Sequence, residues 1–208
     1  MNLLRISYIL IALTAIAIST YPIVYFVTDG DFGILASKSA QLLSDTIWNV
    51  MFYTHIGFGG IALLIGWIQF SKKIQRNRIQ LHRTIGKVYI VTVLLSAMSG
   101  FYIALNATGG WSPILGFSTL AILWFTSTLL GYTTVRKGDI IKHQKMMTYS
   151  YALCFAAVTL RIWLPTLSFL MDGFIPAYRI VAWLCWIPNL IVAHLLIKQQ
   201  FKPAISSS

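Results

Sequence analysis

The 208 residues are 57% hydrophobic and only 10% charged, which excludes an ordinary water-soluble domain. The net charge of +11 comes from 16 Lys and Arg against five Asp and no Glu, but these charges sit in short loops between apolar runs, so they form no nucleic-acid face. No P-loop, nucleophile triad or cysteine metal cluster marks a hydrolase or a nucleotide-driven pump.

A helix rises about 1.5 Å per residue and the hydrocarbon core is roughly 30 Å thick, so about 20 apolar residues span it. The first such run is Ile6 to Val27. Arg5 and Ala15-Ile16-Ala17 resemble parts of a signal peptide, yet hydrophobicity continues to Val27, and a retained span is expected. The segment Thr28 to Thr46, with its Gly, Ser and Asp, predicts a short interfacial helix over Phe32 to Leu43 and no soluble domain. The second run, Ile47 to Phe70, puts His55, Gly59, Ala62, Gly66 and Gln69 on one face. Such a stripe suits tight helix packing, or a groove for a flat cofactor or quinone. The third run, Gly86 to Ala104, carries a comparable stripe of His82, Gly86, Val93, Ala97, Gly100 and Ala104.

The fourth run is Ile114 to Val135. The fifth, Met147 to Leu170, places His143, Met147, Ser150, Cys154, Ala157 and Arg161 on one face, with Asp139 as its expected cap or as a partner favouring the His143 imidazolium. On a continuous helix His143 and Arg161 align about 27 Å apart. The sixth run, Ile180 to Ile197, is interrupted by Pro188-Asn189, where a second polar pocket is expected. Cys154 and Cys185 read as small buried hydrophobes, Ser206 to Ser208 as a frayed end, and no internal repeat is visible. The expected fold class is therefore all-α: a polytopic membrane helix bundle of about six transmembrane helices, forming a single integral membrane domain over 1–208.

Orientation follows from basic residues in short loops, which stay on the cytoplasmic side. Thirteen Lys and Arg fall on one side: Lys72, Lys73, Arg76, Arg78, Arg83, Lys87, Arg136, Lys137, Lys142, Lys145, Arg5, Lys198 and Lys202. The other side holds Lys38 and Arg179 with Asp29, Asp31, Asp45 and Asp172. Both termini are expected inside.

Arg161 is the costliest residue, because a cation at depth needs a partner and no span contains an acid. Carbonyls freed by Pro165, the Tyr53 hydroxyl, an external anion such as a cofactor carboxylate, or snorkelling toward headgroups are the alternatives. The histidines raise a b-type haem, which needs one axial His and often two. His55 stands alone in the outer half, which disfavours two stacked haems. His82 and His143, both at cytoplasmic helix ends, are candidates for one haem or metal, or are plain interfacial residues. His82, His143, His55 and Arg161 thus form the candidate cofactor-binding set.

The stretch His55-Ile-Gly-Phe-Gly-Gly-Ile-Ala-Leu-Leu-Ile-Gly-Trp-Ile-Gln-Phe, then His82-Arg83-Thr84-Ile85-Gly86-Lys87-Val88-Tyr89, Gly138-Asp139-Ile140 with His143, and Ser150 to Arg161, resembles the bacterial membrane-protein family DUF2306, domain of unknown function 2306. The resemblance covers about Met51 to Pro165 and implies a multi-pass protein of the bacterial inner, cytoplasmic membrane with no assigned activity. Met146 departs from a usual Trp and Tyr149 from a usual basic residue, which weakens an anion site near His143. Three functions are expected to compete. The first is a redox or quinone-linked module in which His82 and His143 bind haem or metal and Arg161 an acidic group. The second is a transporter or permease with a polar site at His55, Arg161 and Asn189. The third is a non-catalytic assembly protein. Besides the lipid bilayer, the expected partner is a small hydrophobic or anionic ligand, and nucleic acid is not expected.

Overall fold

The computed structural model describes residues 3–28 and 33–201, so the expectations for Asp29, Asp31, Phe32, Lys202 and Ser206 to Ser208 lie outside the described residues. Six segments are long and apolar enough to cross a membrane: Ile6–Tyr25, Thr46–Phe70, Ile79–Ala104, Trp111–Arg136, Ile140–Leu170 and Phe174–Gln200. There is no strand among the described residues. Leu13, Met98, Leu115, Val192 and Leu195 are exposed. Exposed apolar side chains on so many helix faces match a lipid surround.

Helix one consists of α1 (Leu3–Ser19) and α2 (Pro22–Val27), with Pro22 where a missing N–H costs least. The expected interfacial helix is shorter and split: a 3-10 turn at Leu35–Ser37, then α3 (Ala40–Leu43) capped by Ser39. Helix two is α4 (Thr46–Gly66) with a 3-10 turn at Trp67–Phe70, and Asp45 starts it by accepting from the Ile47 and Trp48 N–H groups. The basic loop forms α5 (Lys72–Asn77). Helices three and four are α6 (Ile79–Ala104) and α7 (Trp111–Arg136). Helix five is α8 (Ile140–Cys154) with α9 (Ala156–Leu170), and helix six is α10 (Phe174–Leu184) with α11 (Ile187–Gln200).

Helices three and five begin a full turn or more before their apolar runs, because His82, Arg83 and Lys142 to Lys145 are helical at the membrane edge without being apolar. Gly138 (φ +81°) makes the turn into α8, and Asp139 caps it by accepting from the Lys142 N–H at 2.9 Å.

The two small-residue stripes face each other, and α4 against α6 is the most extensive helix pair. A Cβ on Gly66 would stand 2.5 Å from the Tyr151 ring and 2.8 Å from that of Tyr89, so glycine is what lets these helices close. Beneath that contact, Thr128 donates to the Trp124 carbonyl, which orders Ser150 to donate to Thr128 and Tyr89 to donate to Ser150. The chain of hydroxyls ends on a carbonyl, so it holds helices three, four and five together rather than conducting protons.

One expectation about a helix break is corrected. Helix five continues through Pro165 and breaks instead at Phe155, so His143 and Arg161 do not share one straight helix. Helix six breaks at Cys185 and Trp186, upstream of Pro188, as a proline's lost N–H and ring clash require. The Asn189 amide shares its donors among the Ala152 carbonyl at 3.2 Å, the Cys185 carbonyl at 3.0 Å and Thr159 Oγ1 at 3.2 Å, which satisfies carbonyls at both breaks. Cys154 and Cys185 are buried free thiols, as expected.

Candidate functional site

Helices one, two, three, four, five and six enclose a cavity of about 650 Å³ in the half of the bundle away from the basic loops. Its walls are chiefly aliphatic and aromatic, and Lys38, His55 and Arg161 reach it, with no acidic residue in the lining among the described residues. His55 lies nine residues from the start of α4 and Arg161 nine from the end of α9, so both stand about 13.5 Å below the same face. That equal depth brings the most expensive cation and the deepest histidine into one space.

Arg161 is held in a way the sequence did not suggest. Its Nη1 donates to the Ala157 carbonyl one turn back at 2.8 Å, and its guanidinium carbon lies 4.2 Å from the centroid of the Tyr21 ring. The Tyr53 hydroxyl, one of the expected partners, donates to the Tyr25 carbonyl at 3.4 Å. Arg161 Nε is buried without a partner among the described residues. A guanidinium carries five donors, so most of its fork remains available to a molecule in the cavity.

His55 is clamped to helix three. Its Nδ1 lies 2.8 Å from the Ser96 carbonyl, which accepts only, so Nδ1 is the donor, and Ser96 Oγ returns a bond to the His55 carbonyl at 2.8 Å. The small residues of the stripes permit this. A Cβ on Gly100 would meet the His55 ring at 2.6 Å, and one on Gly59 would meet Ser96 Oγ at 3.0 Å.

Lys38, on the segment after the 3-10 turn, reaches across to helix three's end, where Nζ donates to the Asn106 carbonyl at 2.6 Å and Thr108 Oγ1 at 3.1 Å. Burial pushes its amine down from the usual 10.5 to about 8. The Tyr25 hydroxyl accepts from the Ile34 N–H at 3.4 Å, fastening the same segment to helix one. Lys38, Tyr21 and Ser96 are the site residues that the sequence reading missed. Nothing local marks Lys38 or Tyr21, whereas Ser96 belongs to the stripe face of helix three.

His82 and His143 do not join this cavity. They sit together at the basic end, within electrostatic reach of one another. His143 Nδ1 donates to the Gly131 carbonyl at 2.8 Å, leaving Nε2 uncommitted, and His82 Nδ1 and Gln69 Nε2 are buried without partners among the described residues. The helices are tight there: a Cβ on Gly131 would come within 2.5 Å of Met147 Sδ. Among the described residues no cluster of three or more His, Cys, Asp or Glu is placed to hold a metal ion. Tyr149, standing where the resemblance expects a basic residue, pairs its hydroxyl with His194 Nδ1 at 2.9 Å and so ties helix five to helix six.

No curated protein and no solved structure matches this sequence. The family described as "Predicted membrane protein (DUF2306)" matches residues 52–197, which extends the resemblance read over Met51 to Pro165 through helix six and covers both breaks that Asn189 bridges. The cavity residues His55 and Arg161 and the basic-end pair His82 and His143 all fall within those bounds, and the chain belongs to the DUF2306 family of predicted membrane proteins.

Proposed function

We propose that this protein lies in the bacterial cytoplasmic membrane with both termini inside, and binds there a membrane-soluble molecule whose apolar body fills the outer-half cavity and whose accepting or anionic head rests on Arg161. It is then a ligand-binding module of the quinone-linked kind. The observation that carries this reading is the Arg161 guanidinium, facing a chiefly apolar cavity, with no acid in the lining and no partner for Nε among the described residues. A cation left in such a place is costly, and an acceptor in the cavity offsets that cost. A volume of about 650 Å³ falls within the roughly 300 to 1,000 Å³ of small-molecule sites.

The competing readings draw less support. A transporter site including Asn189 loses a donor, since the amide N–H groups are already engaged at the helix breaks. A haem between His82 and His143 needs a slot where helices four and five are closely packed around Gly131 and Met147. A purely assembling role accounts for the contact of Arg161 with Tyr21 but not for its buried Nε, which has no partner among the described residues.

The test is mass spectrometry of the detergent-purified protein and of Arg161→Leu. A small apolar molecule with a carbonyl, hydroxyl or carboxylate head should travel with the natural protein and be absent from a folded Arg161→Leu. The same molecules at equal occupancy on both proteins would refute the reading.

A further inference from the structure

His55 presents one nitrogen that the protein leaves unused. The Ser96 carbonyl claims the Nδ1 proton at 2.8 Å, and in a neutral imidazole that leaves Nε2 as a bare acceptor. Gly100 lies against the ring so closely that a Cβ there would sit 2.6 Å from Nδ1, and Ser96 Oγ binds the His55 carbonyl. These contacts hold the ring edge toward helix three, and Nε2 lies on the other edge. No protein donor reaches it among the described residues, and the cavity that His55 lines is the space left to it.

The cavity therefore has two complementary polar points at one depth, a donor fork on Arg161 and an acceptor on His55. Lys38, Tyr21, Tyr25 and Tyr178 also belong to the lining, whose remainder is chiefly apolar. A head that only accepts satisfies Arg161 and leaves His55 Nε2 facing a carbonyl lone pair or empty space. A head with an accepting oxygen and a hydroxyl satisfies both. In a water-poor site this difference is large, because a polar group left unpaired there bears its full desolvation cost.

We propose, building on the cavity reading above, that the ligand carries a hydroxyl or N–H donor for His55 Nε2 beside its acceptor for Arg161, so that of a quinone and quinol pair the site takes the quinol.

The experiment is calorimetric titration of the full-length protein in detergent under argon with three probes of one body. These are a decyl naphthoquinone, its naphthoquinol, and the dimethyl ether of that quinol. The quinol should bind about tenfold or more tightly than either of the others, which lack the donor. In His55→Phe the three affinities should converge, while Arg161→Leu should weaken all three. Because the three-probe comparison is made on the natural protein, it holds even if His55→Phe does not fold. Equal binding of the three probes, with all lost in Arg161→Leu, would overturn the donor inference and leave the cavity reading standing. Tighter binding of the quinone would overturn it by giving Nε2 a proton. Failure of all three to bind the natural protein would overturn both.

Discussion

The His55 ring lies so close to Gly100 that a Cβ there would come within 2.6 Å of Nδ1. Gly100→Ala must push the imidazole off the Ser96 carbonyl, and a loss of about 1 to 3 kcal/mol is expected from overpacking and the broken bond. Gly57, on the same helix as His55, meets nothing within 4 Å of its added Cβ. Gly57→Ala should be neutral or up to about 1 kcal/mol more stable, since only backbone entropy changes. Thermal denaturation in detergent separates the two, and equal effects would remove the argument for a clamped ring.

Lys38 predicts a pH dependence whose sign is opposite to that of a paired lysine. Its amine sits at about 8 in the fold against 10.5 unfolded. Between these values the unfolded chain binds more protons, so the stability contribution rises with pH from about 8 toward 10.5 and is absent below 8. Amine acylation followed by mass spectrometry should show Lys38 half-reactive near pH 8. Thermal stability should climb across that window in the natural protein and climb less in Lys38→Met. A Lys38 that becomes reactive only above pH 10 would contradict the burial argument.

Both-ends-inside topology rests on the thirteen-to-two division of basic residues. Reporter fusions at Lys72 and Lys142 should read cytoplasmic and one at Gly109 external. A cytoplasmic signal at Gly109 would reverse the assignment of the cavity to the outer half.

The six spans were legible because length and hydropathy alone decide what crosses a bilayer, and the two glycine stripes announced the helix pair that contains His55. Arg161 was legible as a cost, and its depth relative to His55 followed from counting residues. The break at Phe155 was not legible, since no proline or glycine marks it. It depends on Asn189 of another helix arriving to satisfy Ala152. The partners of Asn189 were not legible for the same reason: sequence reveals an amide at depth but not which carbonyls of other segments its donors meet. Tyr21 and Lys38 reach the cavity through the bend of helix one and the path of the loop beyond it, neither of which periodicity specifies.

The claim that the cavity at His55 and Arg161 holds an apolar molecule is tested most directly by photolabelling the membrane-embedded protein with a diazirine-tailed naphthoquinol and mapping the modified peptides. The account predicts labels concentrated on residues 52–63 and 153–165. Labelling there should fall about tenfold or more in Arg161→Leu, with that variant still folded, because exchanging a buried charge for an apolar side chain does not by itself unfold a protein. Labels spread instead over lipid-facing positions such as Leu13, Met98 and Leu195, and equal in the two proteins, would contradict it.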